Sequence, residues 1–147
     1  MSSNAVDEKS LGAWLIKSSP GTSRADWLTT GFRDVTTRCV RPTYRTGIIA
    51  VDQPVLLWFS GQDSDHPAGI YAQGWTIGDA SIAEDGQPAM RVALQPVEPP
   101  VLRHELLEHL VLSRIEVVRM PAGSNPSFLS KTQLAVLRRE WPQVIVA

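Results

Sequence analysis

The chain of 147 residues has a single cysteine, Cys39, so no disulfide can form within it. That fits a reducing compartment, and the expectation is a cytoplasmic protein. It also lacks any run approaching the roughly 18 consecutive apolar residues of a membrane helix. The opening "MSSNAVDEKS" has no basic segment followed by an apolar one, which argues against a secretory signal peptide. It reads as a flexible leader over residues 1–11, followed by a single domain over 12–147. There is no internal repeat, low-complexity segment or linker.

The usual chemical signatures are missing as well. There is no Gly-x-Ser-x-Gly and no glycine-rich loop opening a helix. His104 and His109 are five apart, off the i, i+4 spacing of a two-histidine metal site. Asp63, Asp65 and His66 sit in a turn-rich loop, where such residues are common. The carboxylate pairs Asp63/Asp65 and Glu84/Asp85 also fall in loops, and Cys39 lies in an alternating segment, where a lone cysteine packs as a small apolar residue. The expectation is a non-catalytic protein with no cofactor and no metal.

Net charge is −1, too small for an indiscriminate nucleic-acid binder. Its distribution is uneven. Arg33, Arg38, Arg41 and Arg45 share one segment with Asp34 as its one acid, whereas residues 46–90 contain no Lys or Arg and six acids. Arginine suits planar, bidentate phosphate contacts, so the four are candidate phosphate-binding residues. A solvated basic loop beside an acidic one is the plainer reading.

Apolar residues make up 43% of the chain and charged ones 20%, as in ordinary globular proteins. "AWLIKS" alternates as a strand, with Trp14, Ile16 and Ser18 on one side and Ala13, Leu15 and Lys17 on the other. A turn and short helix follow. Ser23 and Asp26 resemble a capping box, and Gly31 stops the helix. "VTTRCV" predicts a short strand. "PVLLWFSG" predicts another, with Leu56, Trp58 and Ser60 on one face and Val55, Leu57 and Phe59 on the other. "GIYAQGWTI" closes a hairpin with it, and "AMRVALQPV" adds a strand ended by Pro96. "VLRHELLEHLVL" predicts a helix, "IEVVRM" a strand, and "LSKTQLAVLRREW" a helix capped by Ser130 and Gln133. Five or six strands, mostly antiparallel, with three helices give an α+β fold around a small curved sheet or partly closed barrel.

Five tryptophans are many for this length. Trp27 and Trp141 read as core. Trp14, Trp58 and Trp75 each lie on a strand near a polar break; taken singly each reads as core, while together they are placed as the walls of a pocket for a flat ring would be.

"WLIKSSP", "GFRDV", "PVLLWFSG" and "AGIYAQGWT", followed by "RIEVVRMPAGSNPSFLSKTQLAVL", resemble in order and spacing the motifs of EVE domains, over roughly residues 12–137. The resemblance implies a PUA-like fold, a small mixed or antiparallel β-barrel flanked by short helices, similar to YTH domains. It implies a reader of modified bases in DNA or RNA, with a separate nuclease or processing protein as associate; the lack of a long apolar run gives the further expectation of no membrane partner. It places Lys17 and Ser18 at the pocket edge and Phe32 where many members carry a cage tryptophan. It also places Trp58 and Ser60 beside the pocket, and Asn125 in a nearby loop. Thr36-Thr37 stand where many members have Arg-Asn. The alternatives are a binder or hydrolase of a small nucleotide-like ligand in the same pocket, and a protein-interaction module.

Overall fold

The first strand, β1 (Leu11–Ser18), is apolar at nearly every position because both of its faces are covered. The computed structural model describes residues 5–18, 24–61, 65–121 and 125–147. After β1 come α1 (Arg24–Thr30), β2 (Thr37–Cys39), a 3₁₀ turn at Tyr44–Ile48, β3 (Pro54–Phe59), β4 (Gly69–Thr76), β5 (Ser81–Ile82) and β6 (Pro88–Leu102). Then follow α2 (Arg103–Leu107), a 3₁₀ turn at Leu112–Arg114, α3 (Glu116–Arg119), β7 (Ser127–Ser130) and α4 (Lys131–Glu140). Among the described residues seven strands form one sheet in the order β2-β6-β4-β3-β1-β7, with β5 also on β6. β1 and β3 run parallel and the other pairs antiparallel. The architecture is α+β, a curled half-barrel with a few short helices.

The two faces of the sheet bury separate cores. Ala13, Leu15, Leu56, Trp58 and Ile70 pack under α2, α3, α4 and the C-terminal Val144 and Val146. On the other face Trp14, Ile16, Val55, Leu57, Phe59 and Tyr71 pack with Phe32, Val35, Val40, Ile49 and Met90. The alternation read in β1 and β3 therefore holds, and the register completes it. Lys17 stands beside Trp58, and Ser18 beside Phe59.

Four local readings are corrected. β6 runs past Pro96, Pro99 and Pro100 to Leu102. In the β4–β6 ladder the register shifts between Ile70 and Ala72, an irregularity that accommodates prolines in a long strand. "IEVVRM" is largely the helix α3, and the last strand is the "SFLS" of β7. "VLRHELLEHLVL" gives only the short α2 before a 3₁₀ turn. The stretch read as a leader is anchored from Val6, which is buried and whose N–H donates to the Tyr44 hydroxyl at 3.0 Å.

The Ser130–Gln133 capping box is formed in both directions. The Ser23–Asp26 box lies outside the described residues. Helix α1 ends in a Schellman arrangement: the Gly31 N–H donates to Leu28 O and the Phe32 N–H to Trp27 O. Gly31 takes the left-handed conformation (φ 65°) that this cap requires, and Phe32 repeats it (φ 66°).

Candidate functional site

The parallel pair β1–β3 delivers Ser18 and Phe59 side by side at its C-terminal end. Around Phe59 the structure gathers an aromatic cluster. Tyr71 of β4 stacks on it (4.2 Å between centroids, 16° between planes). Trp27 of α1 and Phe32 just beyond α1 tilt against it at 6.4 and 6.1 Å. His66, ahead of β4, meets it edge-on at 6.2 Å. Each such pair is worth about 0.5–1.5 kcal/mol beyond its burial. Phe59, Phe32 and Tyr71 are buried, whereas Trp27 and His66 are half-buried and carry the cluster to the surface. Gly61 lets the chain leave β3 here (φ 80°), where a Cβ would lie 2.6 Å from Ala68. The Tyr71 hydroxyl donates to Pro67 O at 2.7 Å.

Among the described residues a cation, Arg38, reaches the cluster. Arg38, the middle residue of β2, lies over Trp27 with Cζ 5.1 Å from the ring centroid. Its Nε is withdrawn from solvent and has no hydrogen-bond partner among the described residues. Burial holds its pKa below the usual arginine range. The stack is worth about 0.5–2 kcal/mol, while a buried donor without a partner costs about 1–3 kcal/mol. The two nearly cancel.

The site assembled from sequence is thus corrected at several positions. Trp58 is buried in the opposite core, with Leu15 and Leu56. Phe59, read as facing away from the pocket, is the hub of the cluster. Trp14 is fully buried, its Nε1 donating to Gln53 Oε1 at 2.7 Å, and it lies four residues down β1 from Ser18, about 13 Å away. Trp75 is part-exposed but pairs with Pro54, at the far end of the β3–β4 ladder from Phe59. Phe32 adjoins the cluster but is fully buried, so it braces Phe59 rather than presenting a face. Ser18 is buried on the cluster side, and Ser60 follows Phe59 half-buried.

Lys17 faces the other side. Its Nζ donates to Pro121 O at 3.4 Å, and burial lowers its pKa, with Arg45 adding to this and Glu116 opposing it. Asn125 clips the end of β1 through Lys17, accepting from its N–H at 2.8 Å and donating to its carbonyl at 3.1 Å.

The four arginines separate into different roles. Arg33 is exposed, with its Nε donating to Thr30 O at 2.8 Å. Arg41 is exposed beside a depression of about 680 Å³ lined also by Cys39, Val40, Pro42, Gln87 and Asn125. Arg45, also expected at phosphates, is engaged inside the fold. It forms a bidentate ion pair with Glu116 (2.8 and 2.9 Å), donates to Pro126 O and stacks on Phe128. Its pKa is raised, chiefly by the hydrogen bonds to Glu116. Among the described residues no group of three or more His, Cys, Asp or Glu gathers that could hold a metal ion, and no helix is long and apolar enough to cross a membrane.

Sequence reading placed Trp27 in the core and passed over Tyr71 and Phe59. The missing signal was the parallel β1–β3 register. It sets Ser18 against Phe59, and alternation alone does not supply it.

No protein-family model matches the chain, and no curated protein matches it in sequence. Solved structures do share its fold. Rpa0253 from Rhodopseudomonas palustris superposes with a TM-score of 0.67 at 12% identity, covering 92% of this chain and 96% of that one. A hypothetical protein from Leishmania major gives 0.64 at 16% identity, over 90% and 96% of the two chains. PSPTO5229 from Pseudomonas syringae gives 0.61 at 14% identity, over 87% and 98%. At these identities the likeness is one of fold.

Proposed function

We propose that the chain is a non-catalytic module that binds a modified base in nucleic acid at the Trp27–Phe59 cluster. The observation that carries this reading is the meeting of a half-buried tryptophan, a half-buried histidine and an arginine around the stacked Phe59–Tyr71 pair. Rings hold a flat base by stacking, and polar groups read its edge. The resemblance to EVE domains, with the PUA-like fold it implies, supports the same chemistry. The proposed site lies at the cluster around Phe59, on the opposite face of the sheet from Trp58.

Arg33 and Arg41 are suited to phosphates, and the depression beside Arg41 has room for a sugar and its phosphate. Phosphate contacts supply salt-dependent affinity, while the cluster supplies selectivity.

The test is a titration of single-stranded 12-mers carrying cytosine, 5-methylcytosine or N6-methyladenine at one position, at several salt concentrations. The expected result is affinity that falls steeply with salt and favours one modified base. Trp27→Ala should remove that preference at a cost of about 1–3 kcal/mol. Absence of binding to every oligonucleotide at low salt would refute the reading. Salt-independent binding of a free nucleoside would favour the small-ligand alternative.

A further inference from the structure

The face of Trp27 toward β2 is taken by the guanidinium of Arg38, itself a flat, π-bearing group. The Nε of Arg38 is shut away from water with nothing to bond among the described residues. β2 is an edge strand, paired with β6 alone, and its other two residues, Thr37 and Cys39, are exposed. A side chain on such a strand can swing without breaking an interior ladder.

We propose that Arg38 is a displaceable cover on Trp27, and that the group displacing it is a heteroaromatic ring with a carbonyl acceptor on its edge, as in a pyrimidine base. This rests on the reading of the cluster as a base site. The exchange replaces one flat group on the indole by another. It also gives the Nε–H a carbonyl to bond, a partner it lacks among the described residues. A ring without an acceptor, such as toluene, replaces the stack but leaves the donor unsatisfied. The device therefore selects against purely apolar rings, and Arg38 is a specificity-determining residue rather than a plain phosphate contact.

Two measurements test this. The first needs no ligand. Acrylamide quenching of Trp27, isolated as the difference from Trp27→Phe, is compared between the parent and Arg38→Met, which keeps the apolar stem. Uncovering one ring face should raise the quenching constant about twofold. An unchanged constant overturns the cover, whatever the protein binds.

The second follows the Arg38 Nε–Hε cross-peak by ¹⁵N NMR in the parent, assigned by its loss in Arg38→Lys. It should shift downfield on titration with 5-methyl-2′-deoxycytidine and stay in place with toluene. A cross-peak that ignores the nucleoside overturns the ligand half of the proposal. In that event, Trp27-dependent binding of the methylated 12-mer would leave the base-reading function standing, and its absence would remove both. Should Arg38→Met fail to fold, the cross-peak decides alone.

Discussion

The guanidinium of Arg45 and the carboxylate of Glu116 meet through two hydrogen bonds, 2.8 and 2.9 Å, across 71 residues of chain. Both side chains are nearly buried, at 13% and 11% exposure. Ser127 adds a third bond to the same carboxylate at 2.8 Å. The pair ties the 3₁₀ turn after β2 to α3 and, through Pro126 O, to the start of β7. Arg45→Ala leaves Glu116 buried with half its partners gone, so it should cost about 3–5 kcal/mol of stability by denaturant unfolding. Adding Glu116→Gln to that variant should recover part of the loss. A cost below about 1 kcal/mol would mark the pair as a solvent-screened surface contact.

The same carboxylate gives the fold an acid limit. Burial would raise the pKa of Glu116, but the bonds from Arg45 and Ser127 and the charges of Arg45 and Lys17 outweigh it, and the net direction is downward from 4.5. A carboxyl with a lower pKa folded than unfolded stabilises the fold above its unfolded pKa, and that contribution fades as pH falls through the folded value. Stability should therefore decline below about pH 4.5. Glu116→Gln should be less stable at pH 7 and show a shallower decline in acid. Parallel pH profiles for parent and variant would disprove the link.

Phe32 combines full burial with a positive φ, directly after Gly31 in the same conformation. Its ring lies 6.1 Å from Phe59. Phe32→Ala should cost about 3–5 kcal/mol as a core truncation, with binding intact wherever the variant stays folded. A variant that keeps its melting temperature and loses affinity for a modified base would return Phe32 to the pocket wall.

What could be read from the chain follows from periodicity. Strict alternation in β1 and β3 put Trp58 opposite Phe59 correctly, and the Ser130–Gln133 spacing marked the start of α4. Which face carries the aromatic cluster could not be read that way. It depends on the β1–β3 register and on α1 closing over one side of the sheet, both long-range. Arg45 and Arg41 look alike in sequence, yet the nearly buried Glu116 far along the chain claims one and leaves the other exposed. "IEVVRM" shows the converse failure. Its β-branched residues favour strand locally, but packing Val117 and Val118 under the sheet makes it helix.

That division of the arginines has a consequence in salt. Each phosphate contact releases counterions, so removing one should flatten the plot of log affinity against log salt by about one unit. Arg33→Ala and Arg41→Ala should each do so for any oligonucleotide, modified or not, because phosphates carry no base information. Arg38→Ala should behave differently, changing the preference among bases more than the slope, since its guanidinium lies on Trp27. Fluorescence anisotropy with one labelled 12-mer at four salt concentrations separates the two behaviours. If Arg33→Ala and Arg41→Ala both keep the parent slope, the exposed basic segment is a solvated loop and the backbone of the nucleic acid runs elsewhere.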